Sequence, residues 1–221
     1  MVINSTVWQC EATGRENLTY AEALKSEKRA KKKIQQFKET LRAPVMLVIE
    51  HAKQSSINAL NSIVFRFMKR RFFRNEVVQA TTTSSFFREY TVVDIVDPSN
   101  NPPASEVYEE PEKLHYKLRA KNSTDELTVP FNRIKRLRLE FSFENLSMFV
   151  KSNVNRVEGI LRPKPNVYQE YVTDKGITFS SLFIGKMPHF TPAKIKRPAQ
   201  EGKKQSTINK YLVKNDEKEK P

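Results

Sequence analysis

The apolar pattern of this chain changes period partway along, and that change limits what the chain can fold into. Up to about residue 70, apolar side chains recur three and four positions apart, the spacing that lines one face of an α-helix. From Glu76 onward the runs are rich in Val, Thr, Tyr and Phe, which suit half-buried strands. The order predicts an α+β fold. A helical N-terminal part precedes a small, mostly antiparallel β-sheet with one or two helices, and a disordered C-terminal tail follows.

The 221 residues suit one domain of moderate size, or one domain with tails. Val7-Trp8-Gln9-Cys10 reads as a short strand ended by a Thr13-Gly14 turn. Thr19 and Glu22 have capping-box spacing. The helix that follows, from about Tyr20 to Phe37, places Tyr20, Ala23, Leu24, Ala30, Ile34 and Phe37 on a core-facing stripe. Pro44 suits a first helical position ahead of the buried run Val45–Ile49. Ser55 or Ser56 can cap a third helix with Ile57, Leu60, Val64, Phe67 and Met68 inward. Strands are expected at Glu76–Ala80, Arg88–Val96, Leu114–Ala120 and Glu126–Val129. A flexible, acidic, Pro-rich loop is expected over 98–112, and a helix near 143–152 with Phe143, Leu146, Phe149 and Val150 on one face. Arg162-Pro163-Lys164-Pro165 separates that helix from a short segment around Tyr168 and Tyr171. Three units result: 1–80, the strand-rich 81–190, and a tail over 191–221 in which Lys, Glu, Gln and Pro dominate.

The net charge of +14 favours a polyanionic partner, nucleic acid first and an anionic membrane second. The basic surplus is concentrated in residues 1–43, 127–165 and 194–221, with an acidic stretch between the first two. No apolar run approaches the ~20 residues of a membrane span. The single cysteine, Cys10, excludes an intramolecular disulfide and reads as a half-buried structural thiol beside Trp8. His51, His115 and His189 lie too far apart for a local metal-ligand spacing, so no metal and no cofactor is expected. Glycine-rich phosphate loops and nucleophile-elbow motifs are missing from the sequence. Nothing points to an enzyme.

Two basic faces stand out as phosphate contacts. The first is Lys25, Lys28, Arg29, Lys32 and Lys33, largely off the apolar stripe of the first long helix. The second is the end of the third helix, where Lys69, Arg70, Arg71 and Arg74 are interleaved with Phe67, Phe72 and Phe73. Helical spacing already explains those rings as packing, so stacking on bases is the minority reading there. Arg133, Lys135, Arg136 and Arg138 alternate with Ile134, Leu137 and Leu139 as a further basic edge. In the tail, Lys194-Ile195-Lys196-Arg197-Pro198 is a weak import-like basic patch. Gln205, Ile208 and Tyr211 resemble the peptide that binds the sliding clamp PCNA, with Leu212 where a second aromatic is usual.

The run Trp8-Gln9-Cys10-Glu11-Ala12-Thr13-Gly14, followed by Leu18-Thr19-Tyr20-Ala21-Glu22-Ala23-Leu24-Lys25-Ser26-Glu27, resembles the WAC domain of the large accessory subunits of ISWI chromatin remodellers. Ala43-Pro44-Val45 and Arg71-Phe72-Phe73 continue the likeness, which covers about residues 2–78. From Leu114 to Phe190 a looser resemblance extends to the region after WAC in the ACF and CHRAC accessory subunits. The family module starts earlier, with a segment rich in aromatic residues, so this chain reads as N-terminally shortened.

The resemblance implies a non-catalytic, DNA-binding, chromatin-targeting role in the nucleus, supporting nucleosome assembly and spacing. ATP hydrolysis would belong to an ISWI-family ATPase, whose binding segment is not found here. The tyrosine kinase activity associated with one family branch is not carried over, for want of a nucleotide loop. The alternative is an adaptor for the acidic patch of histones, or for the sliding clamp, with little affinity for free DNA.

Overall fold

Local sequence explains where most elements start. The computed structural model describes residues 7–10, 13–81, 87–98, 111–121, 123–136 and 140–191. Most of the acidic loop lies outside them, as do Leu137, Arg138 and Leu139. So does the chain from residue 192 on, with its basic patch and the clamp-like Gln205, Ile208, Tyr211 and Leu212.

Strand β1 (Trp8–Cys10) pairs antiparallel with β2 (Arg15–Leu18), which the sequence did not announce. Helix α1 (Tyr20–Gln35) opens on the expected capping box. The Thr19 hydroxyl accepts from the Glu22 amide at 3.4 Å, and the Glu22 carboxylate accepts from the Thr19 amide at 2.9 Å. The helix ends before Phe37, whose buried ring stacks on Phe149 at 4.3 Å. Ala23 and Ala30 face inward as expected, whereas Tyr20 and Leu24 do not: they are 63% and 40% exposed. Among the described residues its main support is the small β1–β2 hairpin and α4, too narrow to cover the whole apolar stripe.

Helix α2 (Glu39–Ala52) corrects the placement of Pro44, which lies inside it and not at its first position. The missing amide forfeits one helix bond. Burial on all sides offsets that loss, since Leu41 and the run Ala43 to Ile49 are enclosed. Arg42 fixes the α1–α2 corner by donating to the carbonyls of Gln35 and Phe37 and to the Tyr171 hydroxyl. Ser56 caps α3 (Ile57–Lys69), which buries Leu60, Val64, Phe67 and Met68.

Strands β3 (Val77–Thr81), β4 (Phe87–Val96), β5 (His115–Ala120), β6 (Glu126–Pro130) and β7 (Ile134–Lys135) form an antiparallel sheet in the order β6-β5-β4-β3-β7. Alternate residues meet across it on one face, including Val78 with Tyr90, Val92 with Leu118 and Tyr116 with Val129. Helix α4 (Phe143–Asn153), capped by Ser142, buries Leu146, Phe149 and Val150 but leaves Phe143 46% exposed, contrary to expectation. The segment after it is richer than the sequence suggested. An antiparallel hairpin of β8 (Val154–Val157) and β9 (Ile160–Pro163) leads into α5 (Pro165–Tyr168), a wide helical turn over Gln169–Thr173, and α6 (Phe179–Leu182).

Two main cores result. One joins α2, α3 and α4 with Leu161, Val167, Val172 and Phe183, so residues past 146 complete the packing of the first helices. The other lies on one face of the sheet and includes Phe72. Between them sits a buried ion pair. Glu76 is 1% exposed, and Arg136 donates to both its carboxylate oxygens. The same guanidinium donates to the Met68 carbonyl and, at 2.6 Å, to that of Arg71. Arg136 is therefore an internal clamp and not part of a basic edge.

Candidate nucleic-acid interface

Helix α1 is the most exposed long helix, and its sequence decides how. Its narrow inward face holds Ala23, Ser26 and Ala30, so the long charged side chains are left on the outside. Lys25, Lys28, Arg29, Lys32 and Lys33 are all exposed, forming a ridge along the solvent side. Lys32 and Lys33 in the last turn also complement the helix dipole.

One flank of the ridge borders an open cleft of about 470 Å³ between the hairpin, α1 and α4. Its walls carry Arg15, Lys25, Arg29 and Lys33, with Thr13 and Ser26 hydroxyls 3.1 Å apart on the floor. Glu22 and Glu144 are the acidic members. Thr19 holds the Glu22 carboxyl below its ordinary value by backbone and side-chain hydrogen bonds, and Lys33 meets Glu144 at 2.7 Å. Gly14 at the tip of the hairpin has φ +72, and a Cβ there would come within 3.3 Å of Lys151 Nζ. The hairpin thus brings Arg15 to the α1 cations, and its tip lies against Lys151 of α4. Sequence reading found neither residue, because β2 escaped it; the Thr13-Gly14-Arg15 turn was the available signal.

The second expected basic face is built differently. Lys69 is exposed. Arg70 makes a two-pronged ion pair with Glu112, which holds that carboxyl below its ordinary value. Arg71 lies over the Phe67 ring at 4.3 Å, and burial together with Arg70 pulls it down to about 10. Arg74 donates to Asp94 at 2.9 Å and to the carbonyls of Ser180 and Phe183. Burial works to raise the Asp94 carboxyl, but hydrogen bonds from Ile95 and Arg74 hold it low. Arg70 and Arg74 thus join elements of the fold, and Arg71 is partly buried against a ring of its own helix end. The two faces lie on separate elements, with no residue shared between them.

Cys10 is fully buried beneath the hairpin rather than half-buried, with Leu18 and Ala23. Among the described residues no group of three or more His, Cys, Asp or Glu side chains could hold a metal ion, and no helix is long and apolar enough to cross a membrane.

Residues 1–78 match the WAC/Acf1 DNA-binding family model, described as the N-terminal part of ATP-utilising chromatin assembly and remodelling proteins. The human bromodomain adjacent to zinc finger domain protein 1A is 33% identical over 100 residues, which is 45% of this chain and 6% of that protein. Its mouse counterpart is 32% identical over 98 residues, again 6% of its length. A DDT domain-containing protein of Dictyostelium discoideum is 31% identical over 72 residues, 33% of this chain and 8% of that protein. The chain thus spans a small fraction of the relatives it matches. No solved structure matches it significantly. Residues 1–78 of the chain are thus similar to the WAC/Acf1 DNA-binding domain, and a little under half of the chain is similar to part of bromodomain adjacent to zinc finger domain protein 1A.

Proposed function

We propose that this chain binds double-stranded DNA without reading its sequence, as the chromatin-targeting part of an accessory subunit of an ISWI-type nucleosome-remodelling complex. It works in the nucleus and leaves ATP hydrolysis to the partner ATPase. The observation that carries the proposal is the ridge of α1: Lys25, Lys28, Arg29 and Lys32 project together from one rigid element. A row of cations on a helix neutralises successive phosphates and releases condensed counterions, a gain that carries no base information. Arg15 extends the positive surface into the cleft, where Lys33 is paired with Glu144. The likeness of residues 1–78 to a DNA-binding family model of chromatin assembly and remodelling proteins points the same way. Arg70, Arg71 and Arg74 contribute less, because their guanidiniums already serve the fold, while Lys69 extends the surface.

The test is anisotropy of a labelled duplex of about 30 base pairs across a salt series, beside an intact nucleosome. The expected result is tight duplex binding that falls steeply with salt. Reversing Lys28, Arg29 and Lys32 to Glu should weaken binding and flatten the log–log slope by up to about 3, one phosphate each. Unchanged duplex affinity in the triple variant would remove α1 from the interface. Nucleosome binding without duplex binding would move the basic ridge onto histones.

A further inference from the structure

The same helix carries a feature that phosphate contact does not use. Trp8 on β1 and Tyr20 at the first position of α1 meet edge to face, ring centroids 5.4 Å apart, yet they are 44% and 63% exposed. Leu24, 40% exposed, lies one turn beyond Tyr20, and Val7 beside Trp8 is 62% exposed. Large apolar side chains usually hide, and a contiguous exposed group of them marks a contact surface. Helical spacing puts Tyr20, Leu24, Glu27, Lys28 and Lys31 on a single stripe, so the rings border the cationic ridge with Glu27 as the acidic member of the stripe. On α1, the ridge separates this aromatic flank from the cleft of Arg15 and Lys33.

We propose that the Trp8–Tyr20 pair is a stacking platform for an unpaired DNA base, so that the site prefers DNA with a single-stranded gap over continuous duplex. The reading rests on the DNA-binding proposal above and sharpens its substrate. An aromatic platform beside a cationic track is how single strands are held, since every base has a face to stack and every nucleotide a phosphate. The cationic surroundings select a polyanion over an apolar peptide, which would leave Lys28 and Lys31 desolvated without countercharge. A paired base inside a helix offers no face to stack on, so continuous duplex engages the ridge alone. The T-shaped contact holds each ring's orientation, which lowers the entropy lost on stacking.

Trp8 is the chain's single tryptophan, so its fluorescence reports the platform directly. Two probes of equal length would be titrated into the full chain: a continuous duplex, and one with a gap of a few thymidines in one strand. The gapped probe should bind at least about five-fold tighter and quench Trp8, whereas continuous duplex leaves Trp8 emission largely unchanged. Tyr20→Ala and Trp8→Leu should each abolish the preference and keep continuous-duplex affinity within about two-fold. Both replaced rings are exposed, and Leu preserves apolar cover over the hairpin, so circular dichroism should stay native. Equal affinity for the two probes, or a preference that survives both substitutions, would overturn the platform while leaving duplex binding intact. Failure to bind either probe would overturn the platform and the DNA-binding reading together.

Discussion

Replacing Arg136 by Ala should destabilise this protein more than any surface change. The guanidinium meets both oxygens of Glu76 and the carbonyls of Met68 and Arg71, and lies 4.8 Å from the Phe72 ring centroid and 5.2 Å from that of Phe141. Its side chain is 8% exposed and that of Glu76 1%, so water cannot replace the lost partner. Removing one half of a buried pair costs about 3–5 kcal/mol, most of it the penalty of the stranded charge. Against a total stability of about 5–15 kcal/mol that is a large share. At about 2–4 °C per kcal/mol for a chain of this size, Tm should drop by roughly 6–20 °C.

The pH dependence gives the reasoning a second check. Burial already pushes the Glu76 carboxyl up from its ordinary 4.5, with Arg136 opposing that push. Without Arg136 the rise is larger, and the native state then binds a proton that the unfolded chain has released. The deficit of Arg136→Ala relative to the unsubstituted protein should therefore be smallest below pH 4.5 and grow as pH rises toward neutrality. Thermal and urea unfolding across that range would measure it. Adding Glu76→Gln to Arg136→Ala should recover part of the loss, because no charge is left buried. A single-variant loss under about 1 kcal/mol, or a double variant whose losses simply add, would refute the stranded-charge account.

Three further outcomes are expected. Thr19→Ala should cost about 1 kcal/mol through loss of the helix cap, read by urea unfolding, with no change in the far side of the molecule. Leu146→Ala should cost about 2–5 kcal/mol, since Leu146 is fully buried in the helical core where α4 meets α3, and a loss under 1 kcal/mol would mean that the joint repacks. The carboxyls of Asp94 and Glu112 are held below their ordinary values of 3.8 and 4.5, so their contribution is full above those values and lost as pH falls through the lowered ones. Asp94→Asn should accordingly reduce the steepness of acid unfolding below pH 4, followed by circular dichroism.

Much of this fold is local in origin and therefore legible along the chain. Thr19 with Glu22, Ser56 and Ser142 open their helices through bonds to amides three residues on, which no distant contact needs to arrange. Alternating Val, Tyr and Thr announced β4 and β5, because a strand with one buried face must repeat every second residue. The lysine ridge of α1 was equally plain, since five long cations cannot enter a face made of alanines and a serine.

What the sequence could not decide was which neighbour each face would meet. Pro44 reads as a helix start, yet distant residues from α4 to α6 bury the segment so completely that the helix runs through it. Tyr20 and Phe143 have the spacing of core residues, but coverage depends on the size of the elements that pack against them. Arg136 and Arg71 are written in the same letters as Lys28 and Arg29. Only the meeting of α3 with the end of the sheet turns the first two inward, where desolvation makes them structural, and leaves the other two in water, where they can meet phosphate. Periodicity and capping are properties of a few consecutive residues, so the sequence determined them alone; burial is a property of pairs of distant segments, so tertiary structure decided it.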